Sequence, residues 1–272
     1  MKRRAGAREI SYDDTGAGAP LVLLHPFPFD RRYWASAAAV LAAAGQRVLT
    51  VDAPGFGEPS AAGPFTIADW ADDVAALLGE LGVASAALVG LSMGGYAALA
   101  FAARHPARLA ALVLADTRAA ADSAEVRRAR ADAIALLESA GPVSYLDRSL
   151  PGLLATDAAP AVLAQARALA EARADRLLAG IAALRDRPDR TAELPAIRCP
   201  VLVLVGAREQ VVPPEEMRGM SAAIPGARFA VLEGAGHLAS LEAPEPFLAA
   251  LRGFLAEAAT ATTAARAGGA AR

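Results

Sequence analysis

Gly90-Leu91-Ser92-Met93-Gly94 stands between the mostly apolar run from Ala84 to Val89 and a helix-like stretch from Gly95 to Arg104. A serine in G-x-S-x-G between strand and helix sits on a strained turn that pushes its hydroxyl out where a carbonyl can reach it. Gly90 and Gly94 suit such a turn, because a side chain at either place would strike the adjoining strand or helix. A hydroxyl is a poor nucleophile at neutral pH, so the pentapeptide gains meaning only with a base and an acid. Both lie downstream. Gly234-Ala235-Gly236-His237-Leu238 follows the apolar run Phe229 to Leu232, which puts a histidine on a loop at a strand end. The run Val201 to Val205 leads into Gly206-Ala207-Arg208-Glu209, which puts a carboxylate just past another strand. Serine, acid and histidine in that order are the parts of acyl transfer. The histidine takes the proton of the attacking hydroxyl and returns it to the leaving group, while the carboxylate fixes the imidazole tautomer.

Each assignment has a rival. His105 precedes Pro106 at a helix end, where histidine interacts well with the helix dipole and free carbonyls, so capping accounts for it. His25 precedes the serine and is out of order as a base. For the acid, Glu209 is favoured, and Asp116, directly after Leu112 to Ala115, is the alternative. Asp52 reads as a turn residue.

These groups must be carried by strands and helices. Strands are expected at Ile10 to Tyr12, Leu21 to Leu24, Val48 to Val51, Ala86 to Val89, Leu109 to Ala115, Val201 to Val205 and Arg228 to Leu232. Several are unbroken apolar runs, the mark of strands covered on both faces. Helices are expected at Tyr33 to Ala44, Ile67 to Leu81, Met93 to Arg104, Pro214 to Ala223 and Pro244 to Glu257. Alternation of this kind predicts an α/β fold with a mostly parallel, doubly wound sheet flanked by helices. Between Asp116 and Leu194 the strand pattern vanishes, and three or four helices are expected, interrupted at Gly141-Pro142, Pro151-Gly152 and Asp157 to Pro160. The predicted organisation is a core of residues 1–117 and 195–257, a helical cap of 118–194 over the strand ends, and a tail of 258–272. The tail holds only Ala, Thr, Gly and Arg and is expected to be disordered, having no large apolar residue to bury.

From about Leu21 to Leu255 the chain resembles the α/β-hydrolase superfamily, in its cap-bearing branch of esterases, enol-lactonases, cofactor-free haloperoxidases and carbon-carbon hydrolases. Four segments carry the likeness. Leu21 to Pro28 is similar to the family's strand and oxyanion loop, with Pro26 where glycine is commoner. Asp52-Ala53-Pro54-Gly55-Phe56-Gly57 is similar to its D-x-P-G-x-G turn, and the elbow around Ser92 is the third. The fourth pairs the Glu209 loop, where aspartate is usual, with the His237 loop. The resemblance implies a triad of Ser92, Glu209 and His237, with the N–H groups of Phe27 and Met93 holding the oxyanion. His25, Trp34 and Tyr145 are expected at the substrate.

The expected reaction is hydrolysis of a small carboxylic ester through an acyl-serine. A lactone is the nearest alternative substrate, and a ligand-binding protein built on a hydrolase pocket is the alternative outside enzymes. Superfamily members that open epoxides or remove halogen carry aspartate at the elbow, so Ser92 sets those reactions aside.

With 27 basic and 29 acidic residues, the 272-residue chain has no field to hold nucleic acid or an anionic membrane. Lys2 is the only lysine, so Arg127, Arg128 and Arg130 read as an ordinary charged helix face. No secretion signal is read in residues 1–18, the apolar window Ala86 to Ala103 reads as core, and Cys199 alone precludes an internal disulfide. A cytoplasmic enzyme is expected. No His, Cys and carboxylate cluster has metal-ligand spacing, so neither metal nor cofactor is expected. No residue pattern bears on oligomeric state.

Overall fold

The computed structural model describes residues 1–5, 8–57 and 63–269, with side chains as far as residue 260. In chain order the elements are β1 (Lys2–Ala5), β2 (Arg8–Thr15), β3 (Ala19–Leu24), α1 (Ala35–Ala43), β4 (Gln46–Val51), α2 (Ile67–Glu80), β5 (Ala86–Leu91) and α3 (Met93–Arg104). They continue as β6 (Leu109–Ala115), α4 (Ala124–Ser149), α5 (Pro160–Leu169), α6 (Ala174–Arg185), β7 (Val201–Gly206), α7 (Pro214–Ala223), β8 (Arg228–Leu232), α8 (Ala239–Glu242) and α9 (Pro244–Gly269).

The strands form one sheet in the order β1-β2-β4-β3-β5-β6-β7-β8. The pairs β1–β2 and β2–β4 are antiparallel, and every later pair is parallel. The apolar runs explain the centre: β5 and β7 are buried at every position, as strands with helices on both faces must be. After β3 the chain places β4 on one side and β5 on the other, and this divergence opens a crevice beyond the strand ends. The segments that leave β3 and β5 there begin with His25 and Ser92.

Strand β1 was not anticipated. Its Lys2-Arg3-Arg4 carries no apolar pattern, but an edge strand needs none: Lys2 pairs with Glu9 at 3.0 Å and Arg3 with Glu80 at 3.6 Å. Charge on an edge also discourages pairing with a second sheet.

The helical segment lies between β6 and β7 as expected, and α4 breaks where the sequence indicated. Gly141 has φ 79° and ψ 170°, a conformation open to glycine, and Pro142 restarts the helix. The tail departs from expectation. Helix α9 runs on through Gly269, with Ala258 buried in the core, since alanine has the highest helix propensity. Residues 270–272 of that expected tail lie outside the described residues. Among the described residues no helix is long and apolar enough to cross a membrane.

Candidate active site

Ser92 is the residue between β5 and α3, with φ 52° and ψ −113°. That backbone disfavours any side-chain-bearing residue, and surrounding bonds fix it. The Ser92 N–H donates to the Ala115 carbonyl at 2.9 Å, and its own carbonyl accepts from Gly95 N–H and from the Thr117 hydroxyl, each at 2.9 Å. The glycines are needed for space: a Cβ on Gly90 would collide with the Gly94 carbonyl, and one on Gly94 with the carbonyl of Leu24 in β3.

His237 arrives from the loop after β8 and is buried. Its Nε2 is 2.8 Å from Ser92 Oγ, and its Nδ1 is 2.6 Å from Glu209 Oε2. Glu209, from the loop after β7, is itself fixed, because Oε1 accepts the N–H groups of Val211 at 2.5 Å and Val212 at 3.2 Å. Burial works to raise this carboxyl, but His237 and the two amides outweigh it and hold it below its ordinary value. A carboxylate at Nδ1 makes that nitrogen the protonated one, which leaves the Nε2 lone pair for the serine hydroxyl.

Asp116, the alternative acid, makes no hydrogen bond to His237. It is fully buried at the end of β6 with φ 45°; Oδ1 accepts Gly206 N–H at 2.9 Å and Oδ2 has no partner. Burial first, and the charge of Glu209 second, push its carboxyl well above the usual range. The neighbouring carboxyls are thus pushed in opposite directions, Glu209 down by His237 and two amides and Asp116 up by burial and the charge of Glu209.

The peptide N–H groups of Phe27 and Met93 have no protein acceptor among the described residues. One lies in the loop after β3 and the other at the first position of α3, where a helical N–H points outward. His25 is held by backbone groups on both ring nitrogens. It is fully buried, with Nε2 accepting from Ala53 N–H at 2.9 Å and Nδ1 donating to the Pro26 carbonyl at 3.0 Å. Burial drives its pKa down to about 4, so it is a neutral brace between the β3 loop and the Asp52 turn. Asp52 holds that turn by accepting from Arg31 N–H at 2.6 Å and from the Arg31 guanidinium at 2.5 Å. Trp34 also departs from expectation: it is 1% exposed, packs against Tyr33 and Phe247 at 5.1 and 5.9 Å, and belongs to the core. An aromatic residue beside a loop is as readily core as lining, and sequence spacing does not separate the two. Tyr145 of α4, also buried, has its ring 6.5 Å from that of Phe27. His105 turns its ring to Asp72 at 2.8 Å, away from the site.

Sequence reasoning passed over Thr117, Gln210 and Glu242, whose side chains hydrogen-bond to or from these loops. Only their nearness to Asp116, Glu209 and His237 in the chain hinted at it. A cavity of about 720 Å³ lies between the start of α2 and α6, lined by Phe65, Ile67, Leu178 and Ala182. None of Ser92, His237 and Glu209 lines it, so hydrogen-bond geometry, not cavity size, marks the candidate site.

Residues 19–244 match the model of the α/β hydrolase fold family. The chain is 31% identical over 259 residues to a non-heme bromoperoxidase homologue of Mycobacterium tuberculosis, covering 91% of this chain and 97% of that one. Among solved structures, a thermophilic esterase from Thermogutta terrifontis is similar with a TM-score of 0.88 and 37% identity, covering 95% of this chain and 98% of its own. The enol-lactonase of Burkholderia xenovorans is similar with a TM-score of 0.84 and 30% identity, covering 94% of this chain and 100% of its own. The chain belongs to the α/β-hydrolase family.

Proposed function

We propose that the protein is a serine hydrolase that cleaves small carboxylic esters. The observation that carries this reading is the line Ser92 Oγ, His237 Nε2, His237 Nδ1, Glu209 Oε2, with separations of 2.8 and 2.6 Å at its two hydrogen bonds. Ser92 attacks the ester carbonyl while His237 takes its proton, and Glu209 stabilises the imidazolium that forms. The Phe27 and Met93 N–H groups receive the oxyanion, an interaction whose loss typically lowers turnover about a hundredfold to a thousandfold. His237 then protonates the leaving alcohol, and water, deprotonated by the same nitrogen, releases the acid from Ser92. The helices of 118–194 act as a cap that shapes the acyl pocket, with Tyr145 beside Phe27. Cys199, the only cysteine, is half-buried with its thiol pushed up to about 11 by burial, and an unreactive lone thiol fits a cytoplasmic enzyme.

A lactone is the second reading, favoured by the full-length similarity to an enol-lactonase, since ring opening uses the same parts. The test is steady-state hydrolysis of p-nitrophenyl acetate, butyrate and octanoate by the purified protein beside Ser92→Ala. Sustained turnover that the substitution abolishes is the expected result. Turnover that survives Ser92→Ala refutes the mechanism, and a single turnover ending in a stable adduct makes the protein a binder.

A further inference from the structure

Glu242, at the end of the short helix α8, spends both carboxylate oxygens on backbone N–H groups. Its Oε1 accepts from Gly236 at 3.0 Å and from Leu238 at 3.2 Å, the two residues that flank His237. Its Oε2 accepts from Ala155 at 2.7 Å, in the turn between α4 and α5. No cation pairs with it among the described residues. Charge-assisted bonds from amides are about twice as strong as neutral ones, so this carboxylate is a strong local tether. The same turn is gripped again from the acid loop: Gln210, next to Glu209, donates from Nε2 to the Leu154 carbonyl at 2.9 Å, and Arg208 pairs with Asp157. Contact is close enough that a Cβ on Gly236 would collide with the backbone of Leu154 and Ala155.

We propose that Glu242 is the positioning residue for the base: it fixes the loop on both sides of His237 and ties that placement to the seating of the cap turn at Ala155. The proposal rests on the serine hydrolase reading. A histidine whose loop is free to shift by a fraction of an ångström loses its 2.8 Å contact to Ser92 Oγ, and misplacement near 1 Å lowers rates by about a hundredfold. The loss falls on kcat, because Glu242 offers no atom to substrate.

The test compares Glu242→Ala and Glu242→Gln with wild type, using p-nitrophenyl butyrate hydrolysis and the rate of Ser92 labelling by a fluorophosphonate. Glu242→Ala is expected to lower kcat and labelling together by roughly 30- to 100-fold, with KM within about threefold. Glu242→Gln keeps a carbonyl oxygen for Gly236 and Leu238 but turns an NH2 donor to the Ala155 N–H, so it holds the histidine side, gives up the tie to the cap turn, and is expected to restore turnover to within about tenfold of wild type. Gln210→Ala added to Glu242→Gln then lowers kcat by more than the product of the single effects, since both grip one turn. Variants that melt earlier yet turn over and label at wild-type rates overturn the proposal, as does a change confined to KM. If Glu242→Ala does not fold, the Glu242→Gln cycle decides alone. A wild type that neither turns over nor labels removes the hydrolase reading, and this one with it.

Discussion

Replacing Asp116 with asparagine separates the two candidate acids and probes a buried proton in the same measurement. Asp116 is fully buried, pairs with no cation among the described residues, and accepts the Gly206 N–H, while the charge of Glu209 adds to burial in raising its carboxyl. In the unfolded chain the group titrates near 3.8. Above that pH and below its folded value, the native state holds one proton more than the unfolded state, so stability falls as pH rises. The slope is about 1.4 kcal/mol per pH unit for one proton. Asparagine has nothing to titrate, and its carbonyl still accepts from Gly206. Its advantage over wild type therefore grows by about 1.4 kcal/mol per unit from about pH 5 upward, until Asp116 ionises in the fold.

Urea unfolding of both proteins across about pH 5 to 8 reads this directly, and each kcal/mol corresponds to about 2–4 °C in Tm for a chain of this size. A pH-independent difference would refute the neutral acid and put a charge on Asp116. The same variant should hydrolyse p-nitrophenyl butyrate within about threefold of wild type, under 1 kcal/mol in barrier. Glu209→Gln, which takes the charge from Nδ1 of His237, should lose about 1,000- to 10,000-fold. If the losses are exchanged between the two variants, Asp116 is the acid.

Other expectations follow from single features of the site. Ser92→Gly relieves the backbone at φ 52° and is expected to gain about 1 kcal/mol over Ser92→Ala, which keeps the strain; equal Tm values for the two would show that the turn is unstrained. His25 has a folded pKa of about 4 against an ordinary 6.5, so the unfolded state binds its proton first as pH falls. Stability present above 6.5 should therefore shrink by about 3 kcal/mol toward pH 4, and a His25→Gln variant should lack that part of the acid limb in a denaturant titration. Gly94→Ala drives a Cβ into the Leu24 carbonyl and should cost about 3 kcal/mol by chemical unfolding, moving β3 and elbow apart; a change under about 1 kcal/mol would mean that the turn has room.

The sheet was legible in the sequence where strands are buried on both faces, because unbroken apolar runs such as Val201 to Val205 have few other readings. Strand β1 was illegible for the opposite reason: at an edge, Lys2 and Arg3 satisfy themselves with Glu9 and Glu80, and no apolar period is required. Ser92, His237 and Glu209 could be read because each needs a strand end and a particular order along the chain. The supporting residues could not. His25 and Trp34 have the chemistry of site residues, yet depth alone decided their roles, and depth depends on packing across the sheet. Glu242 is an ordinary helix-end glutamate in the sequence, and its partners at Gly236, Leu238 and Ala155 appear only once the insertion folds back. The tail's first residue, Ala258, is buried and α9 continues past it, because alanine favours a helix even where no large apolar side chain is present.

The insertion touches three of the loops around Ser92, those that carry Phe27, Glu209 and His237. Glu171 N–H donates to the Pro28 carbonyl at 2.8 Å, and Gly180 of α6 lies so close under the Phe27 ring that a Cβ there would collide with it. These contacts bear on the β3 loop, Gln210 reaches Leu154 from the acid loop, and Glu242 reaches Ala155 from the histidine loop. A substrate that shifts these helices in order to enter therefore shifts Phe27, Glu209 and His237 together. Specificity in such an arrangement need not come only from pocket shape: an acyl group that lets the helices settle also completes the hydrogen-bonded line to Ser92, while an ill-fitting one leaves it open. Chain length should then act on kcat as well as on KM across the acetate, butyrate and octanoate esters. In the variant Gln210→Ala, where one tie is cut, the kcat values of the three should draw closer together; a series in which only KM varies, with or without the substitution, would show that the helices shape the pocket and nothing more.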